Sequence, residues 1–374
     1  MPRKLSSQAE KVRYAVIGLG HIAQVAVLPA FAHAENSELT ALVSSDAEKL
    51  EKLARKYKVR GRYSYQEFDE CLDSGAVDAV YVALPNHLHR EYSERALRRG
   101  IHILCEKPMA VTEEDCRSMI RVAEENQAKL MVAYRLHFEE ANLKAIDLVQ
   151  SGKLGDPRLF DSVFTMTVKD GDIRLNPREL GGGTLYDIGI YCINAVRNLF
   201  GAEPMEVIAF SANCGDERFG QCEETTSAIL RFPGKERLAT FTCSFGAADV
   251  SHYRVVGSKG QLVMDPAYEY AGELEQKVTV DGRTRSKTFG KRDQFAPELI
   301  SFSESILNGN APEPSGWEGL ADVRIIRALY RSADTGQPVT LEPFSKDDRP
   351  SLEQELRRPP VSQPELVNTE SPSE

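Results

Sequence analysis

The strongest constraint on the fold is a glycine pattern that follows a short apolar run near the start of the chain. The run Val12–Ile17 leads into Gly18-Leu-Gly20-His21-Ile22-Ala23, and a helical pattern follows. A strand, Gly-x-Gly-x-x-Ala and a helix together form the fingerprint of a dinucleotide-binding turn. The first glycine permits the tight turn, the second lets the backbone approach a pyrophosphate, and the helix N-terminus attracts phosphate groups. The residues expected along the dinucleotide are Gly18, Gly20, His21 and Ile22.

Apolar runs and helical patterns alternate through the first third of the chain. Such alternation is typical of βαβ units and predicts a doubly wound parallel sheet, a Rossmann domain. The predicted strands cover residues 12–17, 39–43, 77–84, 101–108 and 129–134. Ligands of open α/β sheets bind beyond the carboxyl ends of the strands. Residues that directly follow these runs are therefore the first candidates for a site.

The end of the second predicted strand bears on the choice of dinucleotide. An NAD enzyme usually has an acidic residue here for the ribose 2′-hydroxyl. This chain instead has Ser44, followed by Asp46, which is placed as a helix N-cap. Lys49, one turn into that helix, can reach back to the strand end. A serine and a lysine suit a 2′-phosphate, so the sequence favours NADP. A plain loop with a surface lysine is the alternative.

The run at 101–108 is nearly continuous in apolar residues, as in a central parallel strand. Lys107 stands at its carboxyl end, and Pro108 biases Lys107 toward extended geometry. An isolated Lys-Pro pair is typical of a surface turn, so this assignment depends on the other motifs. The preceding run ends in Pro85-Asn86-His87-Leu88-His89. Two histidines at this spacing suggest a metal, but no cysteine or carboxylate cluster supports one, and we expect none.

The pattern changes after about residue 156. Strand-like runs separated by turns follow one another and predict an α+β domain with a large, mostly antiparallel open sheet. One helix interrupts them, predicted over 186–200 after Gly181-Gly182-Gly183, and on it Asp187 and Tyr191 are four residues apart and share a face. We therefore expect a Rossmann domain over 12–136, an α+β substrate domain over 137–344, and a disordered tail over 345–374, rich in Pro, Glu and Ser.

Charge and cysteine usage exclude several classes of partner. The net charge is −10 with no basic stripe, which argues against nucleic acid. None of the 7 cysteines forms a Cys-x-x-Cys pair, as expected for reduced thiols. No apolar run approaches the roughly 18 residues of a membrane span. The polar segment 1–11 lacks the apolar core of a signal peptide, so we expect a cytoplasmic protein, with a processed precursor left open.

Four motifs now stand in order along the chain. They are Gly18-x-Gly20-x-x-Ala23, Pro85-Asn86-x-x-His89, Glu106-Lys107-Pro108 and Gly182-Gly183-x-x-x-Asp187-x-Gly189-x-Tyr191. Together they resemble the Gfo/Idh/MocA oxidoreductase family, over about residues 12 to 342. Many members have histidine where this chain has Tyr191. In having tyrosine there, this chain resembles the branch that contains the glucose–fructose oxidoreductases.

The resemblance implies roles for individual residues. Lys107 would orient the substrate hydroxyl and favour loss of its proton, Tyr191 would be the acid/base, and Asp187 would aid positioning. When a carbon gives up a hydride, a base must accept the proton of its hydroxyl group. A base at Tyr191 and a cation at Lys107 agree with this requirement. Further cofactor contacts that the resemblance implies are Ser44, Lys49, Leu84, Pro85, Asn86, His89, Glu106, Lys107, Arg135 and Arg174.

The function that follows is an NADP-dependent sugar oxidoreductase that oxidises an aldose at C1 to a lactone. A dehydrogenase of another cyclic polyol or a nucleotide sugar is the first alternative. A non-catalytic NADP-binding regulator is the second, because a fold alone does not establish catalysis. The presence of both Lys107 and Tyr191 favours an enzyme. The resemblance also implies a homodimer or homotetramer, and it leaves open which sugar is used and whether NADP is exchangeable.

Overall fold

The computed structural model describes residues 11–234, 237–346 and 348–373. They form two compact units. Unit 1 holds the described residues up to Arg135 together with Asp293–Leu320 and Arg357–Ser371, and unit 2 holds Leu136–Arg292, Ala321–Leu356 and the last residues. The segment Asp293–Leu320, which lies inside the expected span 137–344, and the segment Arg357–Ser371, which lies after it, both belong to unit 1.

Unit 1 contains a six-stranded parallel sheet in the described residues, with strand order β3-β2-β1-β4-β5-β6. This order, with its reversal beside β1, is that of a Rossmann fold and confirms the predicted class. β4 is buried at every residue, as its continuous apolar sequence predicts. The strands are β1 Val12–Ile17, β2 Ser37–Val43, β3 Gly61–Tyr63, β4 Ala79–Val82, β5 His102–Glu106 and β6 Leu130–Ala133.

Helices α1 to α5 connect these strands, and two of them begin at the caps that the sequence predicts. Asp46 accepts a hydrogen bond from the Lys49 N–H at 3.0 Å, and Thr112 accepts one from Asp115 at 3.1 Å. A π-helical segment, Ala23–Val27, directly follows the glycine turn. The helices are α1 Leu28–Ala30, α2 Ala47–Tyr57, α3 Phe68–Asp73, α4 His89–Leu97 and α5 Glu113–Glu125.

A returning helix completes unit 1. Helix α8, Ala296–Asn308, lies against the start of the sheet, where Ser303 shares hydrogen bonds of 2.8 Å with Tyr14 of β1 and Ser37 of β2. The first residues of α9, Gly316–Thr335, also belong to unit 1. An added Cβ at Gly316 would lie 2.8 Å from Ile120, so only glycine fits there without a shift. These contacts explain why the segment 293–320 belongs with the parallel sheet.

Unit 2 contains a nine-stranded sheet in the described residues, with order β14-β13-β12-β11-β7-β10-β9-β8-β15. All neighbours are antiparallel except β7 and β10, so the mostly antiparallel sheet is confirmed. The strands are β7 Pro157–Thr167, β8 Glu206–Ala212, β9 Thr225–Arg231, β10 Leu238–Ser244, β11 Gly246–Gly257, β12 Gly260–Met264, β13 Leu274–Val280, β14 Arg283–Phe289 and β15 Val339–Thr340. Helices α6 Glu140–Gln150, α7 Ile190–Phe200 and the rest of α9 belong to this unit.

The C-terminal tail, for which the composition predicts disorder, makes hydrogen bonds within the two units. Leu356 donates from its backbone to Phe138 in unit 2 at 3.4 Å. Arg358 donates to the His33 carbonyl at 3.0 Å, and the Val367 N–H donates to the Gln24 side chain at 2.8 Å, both in unit 1. The tail has too few apolar residues to form a core of its own, which is why its composition is typical of disorder. Hydrogen bonds between the tail and a folded unit cannot be read from composition. Among the described residues, no helix is both long and apolar enough to span a membrane.

Candidate active site

The glycine turn of unit 1 has the geometry that a bound pyrophosphate needs. Gly18 has φ +89°, and an added Cβ would lie 2.2 Å from the Ala83 carbonyl oxygen, so a side chain is excluded there. An added Cβ at Gly20 meets no atom within 4 Å. The backbone at Gly20 therefore has free space in front of it, while His21 and Ile22 beside it are partly accessible. The residues present fit a dinucleotide.

The end of β2 positions the serine that the sequence assigns to the ribose. Ser44 is buried, and its hydroxyl accepts a hydrogen bond of 3.2 Å from the Asp46 N–H. The Ser44 N–H donates to the carbonyl of Tyr63 on β3 at 3.0 Å. The Asp46 carboxylate caps α2, as the sequence predicts, and that helix carries the partly exposed Lys49. A fixed hydroxyl and a nearby cation thus follow β2.

His89 is enclosed between the loop after β4 and the loop after β5. Its side chain is 0% exposed. Nδ1 lies 2.9 Å from the Pro108 carbonyl oxygen and Nε2 lies 2.8 Å from the Leu84 carbonyl oxygen. The ring is fully enclosed here, so the predicted role of His89 beside the cofactor depends on its backbone and on the loops that its ring joins. His89 ties the loop after β4 to the Lys107-Pro108 loop, while Pro85 and Asn86 remain partly accessible.

The Glu106-Lys107-Pro108 motif lies at the carboxyl end of β5, as predicted. The Tyr81 hydroxyl donates to Glu106 Oε1 at 2.8 Å, and the Lys107 N–H donates to Oε2 at 3.3 Å. Burial raises the pKa of Glu106, and the charges of Lys107 and Arg135 oppose this. The Lys107–Pro108 peptide bond is cis. The motif thus fixes the backbone of Lys107 while its side chain stays partly accessible.

A second buried carboxyl group lies behind this motif, and sequence patterns did not reveal it. Glu298 of α8 is 0% exposed, and neither of its oxygens has a hydrogen-bond partner within the described residues. Burial raises its pKa well above the ordinary value, and the carboxylates of Glu106 and Asp293 raise it further, against the charge of Arg135. Arg135 itself donates a hydrogen bond to Gln294, next to α8. Burial therefore favours the protonated, uncharged form of Glu298.

We expect the Glu298→Gln variant to become more stable than the parent as the pH rises. Above the unfolded pKa of glutamate, about 4.3, the folded parent holds a proton that the unfolded chain has lost. Its stability thus falls by about 1.4 kcal/mol per pH unit up to the folded pKa. Glutamine lacks this dependence, so the difference in melting temperature should widen by roughly 2 to 4 °C per pH unit. Melting curves from pH 5.5 to 8.5 measure it.

The control for this prediction is Glu304→Gln, at an exposed position of the same helix. Its melting temperature should follow that of the parent at every pH. A difference between parent and Glu298→Gln that stays constant or narrows with pH would show that Glu298 is ionised in the folded protein.

In unit 2, a buried glutamate anchors the glycine segment before the tyrosine helix. Glu223 accepts hydrogen bonds from the N–H and the hydroxyl of Thr184, at 2.7 and 2.8 Å, and from the Tyr330 hydroxyl at 2.9 Å. Arg178 adds an ion pair at 2.8 Å. Gly183 has φ +100°, and an added Cβ would lie 2.7 Å from the Glu223 carboxylate. The close approach of Glu223 thus requires glycine at position 183, and the Asn176 carbonyl oxygen, 1.8 Å from an added Cβ, requires it at position 182.

The helix expected over 186–200 consists of a π-helical segment, Leu185–Gly189, and α7. Asp187 lies on the π segment and accepts a hydrogen bond of 2.6 Å from Arg174 Nε. The same guanidinium donates to Asp172 at 3.1 Å. The structure therefore brings together two of the residues that the sequence singles out, Arg174 and Asp187, as an ion pair.

Tyr191 lies in the first turn of α7, where two aromatic rings hold its own ring in place. The ring of Phe164 meets it edge-on at a centroid distance of 5.6 Å, and that of Tyr268 is tilted against it at 5.9 Å. The Tyr268 hydroxyl is within 2.8 Å of the Ser162 hydroxyl. Tyr191 remains partly accessible. Its ring is oriented by this packing.

Buried ion pairs fix the other end of α7, and sequence reasoning missed them. Arg197 is 0% exposed and pairs with Asp322 of α9 at 2.6 Å and with Glu203 at 2.7 Å. Asn194 also donates to Asp322, at 2.8 Å. Asp322 is 125 positions from Arg197 in the sequence, so no local pattern indicates this ion pair. In the part of the chain that the structure describes, no cluster of His, Cys, Asp or Glu is arranged to hold a metal.

Comparison with known proteins agrees with this architecture. A family model described as an oxidoreductase family with an NAD-binding Rossmann fold (GFO_IDH_MocA) matches residues 12–134, and the GFO/IDH/MocA C-terminal domain matches residues 142–263. The NADP(+) D-xylose 1-dehydrogenase of Haloarcula marismortui is 34% identical over 337 residues, which are 88% of this chain and 93% of that protein.

Two solved structures have the same architecture. The aldose-aldose oxidoreductase from Caulobacter crescentus, complexed with glycerol, has a TM-score of 0.84 and 40% identity, over 88% of this chain and 100% of that one. A 3-ketoreductase from Actinomadura kijaniata, in complex with NADP and TDP-benzene, has a TM-score of 0.79 and 28% identity. The match covers 86% of this chain and 98% of that one.

The glycine turn and the sheet order define a dinucleotide-binding Rossmann domain. With both family models matched and a relative at 34% identity over 88% of the chain, the protein belongs to the Gfo/Idh/MocA oxidoreductase family. The resemblance inferred from the four motifs is thereby confirmed.

Proposed function

We propose that the protein is an NADP-dependent sugar oxidoreductase that transfers a hydride between C1 of an aldose and NADP, with a lactone as the oxidised product. The observation that carries this proposal is the pair of relatives matched over 88% of the chain, a D-xylose 1-dehydrogenase and an aldose-aldose oxidoreductase. Both are named for chemistry on aldoses, and one for NADP(+). The tyrosine at 191 supports the same branch of the family.

The residues of unit 1 support NADP as the cofactor. The free space at Gly20 admits a pyrophosphate, and the neutral Ser44 leaves no carboxylate at the strand end to repel a 2′-phosphate. Lys49 supplies a cation one turn into α2. When bound, the nicotinamide accepts or returns the hydride. The residues proposed to hold the cofactor are Gly18, Gly20, His21, Ile22, Ser44, Lys49, Leu84, Pro85, Asn86, His89, Glu106, Lys107 and Arg135, and in unit 2 Arg174.

The chain's own chemistry is proton transfer and orientation. We assign to Tyr191 the exchange of the proton of the reacting hydroxyl, which a general acid/base must accept as the carbon loses its hydride. We assign to Lys107 the orientation of that hydroxyl, because an ammonium donates hydrogen bonds and favours the charge that develops on oxygen. Asp187, paired with Arg174, holds the segment that precedes Tyr191.

Assembly into a homodimer or homotetramer is part of the proposal. On one face of the central strands of unit 2, the apolar side chains of Leu159, Phe210, Ile229 and Leu238 are exposed. Strand pairing places Leu238 opposite Leu159, so these side chains are neighbours. Contiguous exposed apolar area on a sheet face is typical of an interface between subunits.

Reduction of a keto group on a nucleotide sugar is the second candidate. It is favoured by the 3-ketoreductase relative, whose structure contains TDP-benzene and covers 86% of this chain. A non-catalytic NADP-binding regulator is less well supported, because the chain has both Lys107 and Tyr191 in the motifs where the family has its reactive side chains.

The test is a panel of pyranose aldoses incubated with the purified protein, with and without added NADP. We expect lactone or aldonate from at least one aldose. Product without added NADP, and only when a second carbonyl sugar is present, would indicate transfer between two sugars through a retained cofactor. Product that requires added NADP would indicate an ordinary dehydrogenase. A parallel panel of nucleotide sugars serves as the control, and turnover there alone would contradict the assignment to aldose C1.

A further inference from the structure

We propose that the C-terminal segment Arg357–Ser371, here called the strap, closes over the adenosine side of the dinucleotide site and slows release of NADP(H). The inference rests on the proposed function in one respect, that the protein binds NADP(H). It concerns how the dinucleotide is kept, and it follows from three sets of contacts within unit 1.

The first contacts anchor the start of the strap beside the turn that precedes β2. Arg358 donates through Nε to the His33 carbonyl oxygen at 3.0 Å and through Nη2 to the Glu35 carboxylate at 2.6 Å. Its own carbonyl oxygen accepts from the Asp293 N–H at 3.3 Å. The strap is therefore held at one end by both backbone and charged groups.

The second contact joins the strap to the glycine turn through one side chain. Gln24 is 1% exposed. Its Nε2 donates to the Val367 carbonyl oxygen at 2.9 Å, and its Oε1 accepts from the Val367 N–H at 2.8 Å. The same Nε2 also donates, at 2.9 Å, to the carbonyl oxygen of Leu19, which lies between the two glycines of the turn. Gln24 thus links the strap directly to the backbone that would approach the pyrophosphate.

The third contact places the strap at the end of β2. Asn368 donates through Nδ2 to Asp46 at 3.1 Å and to Glu48 at 3.0 Å. The other oxygen of Asp46 accepts from the Lys49 N–H. The hydrogen bond from Lys49 and then that from Asn368 lower the pKa of Asp46, so this carboxylate is charged at neutral pH. The Asn368 amide therefore bridges two carboxylates next to the predicted ribose position.

These contacts lie on both sides of the adenosine position. In a Rossmann fold, the pyrophosphate lies at the glycine turn and the adenosine ribose at the end of the second strand. The strap bonds to the first region through Gln24 and to the second through Asn368. A dinucleotide held there can leave only when some of these hydrogen bonds open. The strap thus slows the release of NADP(H). Slow release suits a reaction in which one bound cofactor is reduced by one sugar and reoxidised by a second.

The experiment measures how fast bound NADPH leaves the full-length protein. The protein is loaded with NADPH and chased with excess NADP, and the loss of NADPH fluorescence gives the release rate. In Asn368→Asp, a third carboxylate faces Asp46 and Glu48, so the strap should detach. We expect release about tenfold faster or more, in line with loss of hydrogen bonds to charged groups. Asn368→Ala, which removes the bonds without adding repulsion, should show a smaller acceleration.

The matched control is Ser362→Asp, which adds the same charge at an exposed position of the strap. It should release NADPH at the parent rate. Circular dichroism at the assay temperature verifies that each variant is folded. Equal release rates for the parent and Asn368→Asp would contradict the proposal that the strap slows release. The proposal would also be contradicted if Ser362→Asp accelerated release as much as Asn368→Asp does. Slower release or tighter binding in Asn368→Asp would show that the tail competes with the dinucleotide. A parent that binds no NADPH would instead refute the proposed function, and the strap with it.

Discussion

The Tyr191→Phe variant is expected to lose turnover by about a hundredfold or more while it keeps its fold and its affinity for NADP. Removal of a general acid/base typically costs 10² to 10⁴ in rate. The change deletes one oxygen and leaves the ring, so the packing against Phe164 and Tyr268 is retained. The loss should appear in kcat, with little change in the dissociation constant of NADPH measured by fluorescence.

Tyr268→Phe is the matched control, because it removes a hydroxyl from the same aromatic cluster. That hydroxyl is buried and bonded to Ser162, so its loss should alter stability but leave kcat within a few fold. Nearly normal kcat in Tyr191→Phe would assign proton transfer elsewhere, with Lys107 or a water as the next candidates. An equally large loss in Tyr268→Phe would mean that packing, not proton transfer, explains the effect.

The parts of the fold that sequence predicts are those set by local patterns. The glycine fingerprint and the apolar runs identify the central strands of unit 1, since a buried parallel strand requires continuous apolar residues. The caps at Asp46 and Thr112 follow from local hydrogen bonds. By contrast, β3 is short and β14 is exposed along almost its whole length, so neither strand shows an apolar pattern that would predict it.

The parts that sequence does not predict depend on contacts between distant residues. Glu298 lies about 190 positions from Glu106, and no local pattern signals that the two carboxyl groups share one interior. Glu223 likewise supports the glycine segment from 39 positions away. The tail from residue 345 has the composition of a disordered segment, yet Gln24 and Asp46 supply partners that composition cannot reveal.

His89 shows how a motif residue can support a loop. The motif predicts a histidine beside the cofactor, and the structure shows that its ring is fully buried. Its ring turns inward to the carbonyls of Leu84 and Pro108. A motif residue can thus act through the loop that it holds, and the loop held here is the one that carries Lys107.

Lys107 combines a fixed backbone with an accessible side chain. The backbone is held by the Glu106 carboxylate, by Pro108 and, through the Pro108 carbonyl, by His89. The side chain is partly accessible, unlike that of a lysine packed into a core. An ammonium group placed in this way can donate hydrogen bonds to a substrate hydroxyl, and its charge stabilises negative charge that develops on oxygen.

The Lys107→Ala variant is therefore expected to lose about a hundredfold or more in kcat/KM, equivalent to about 2.7 kcal/mol of transition-state stabilisation. Glu106 and Pro108 are unchanged, so melting temperature and NADPH binding should stay near those of the parent. Small primary ammonium ions should partly restore turnover, while the same concentration of a tetraalkylammonium salt, which cannot donate a hydrogen bond, should not.

Lys56→Ala, at an exposed position of α2, is the control for loss of one surface charge and should behave as the parent. Turnover of Lys107→Ala within a few fold of the parent would remove the lysine from the mechanism. Equal rescue by both salts would show that ionic strength, and not a hydrogen-bonding cation, had been lost.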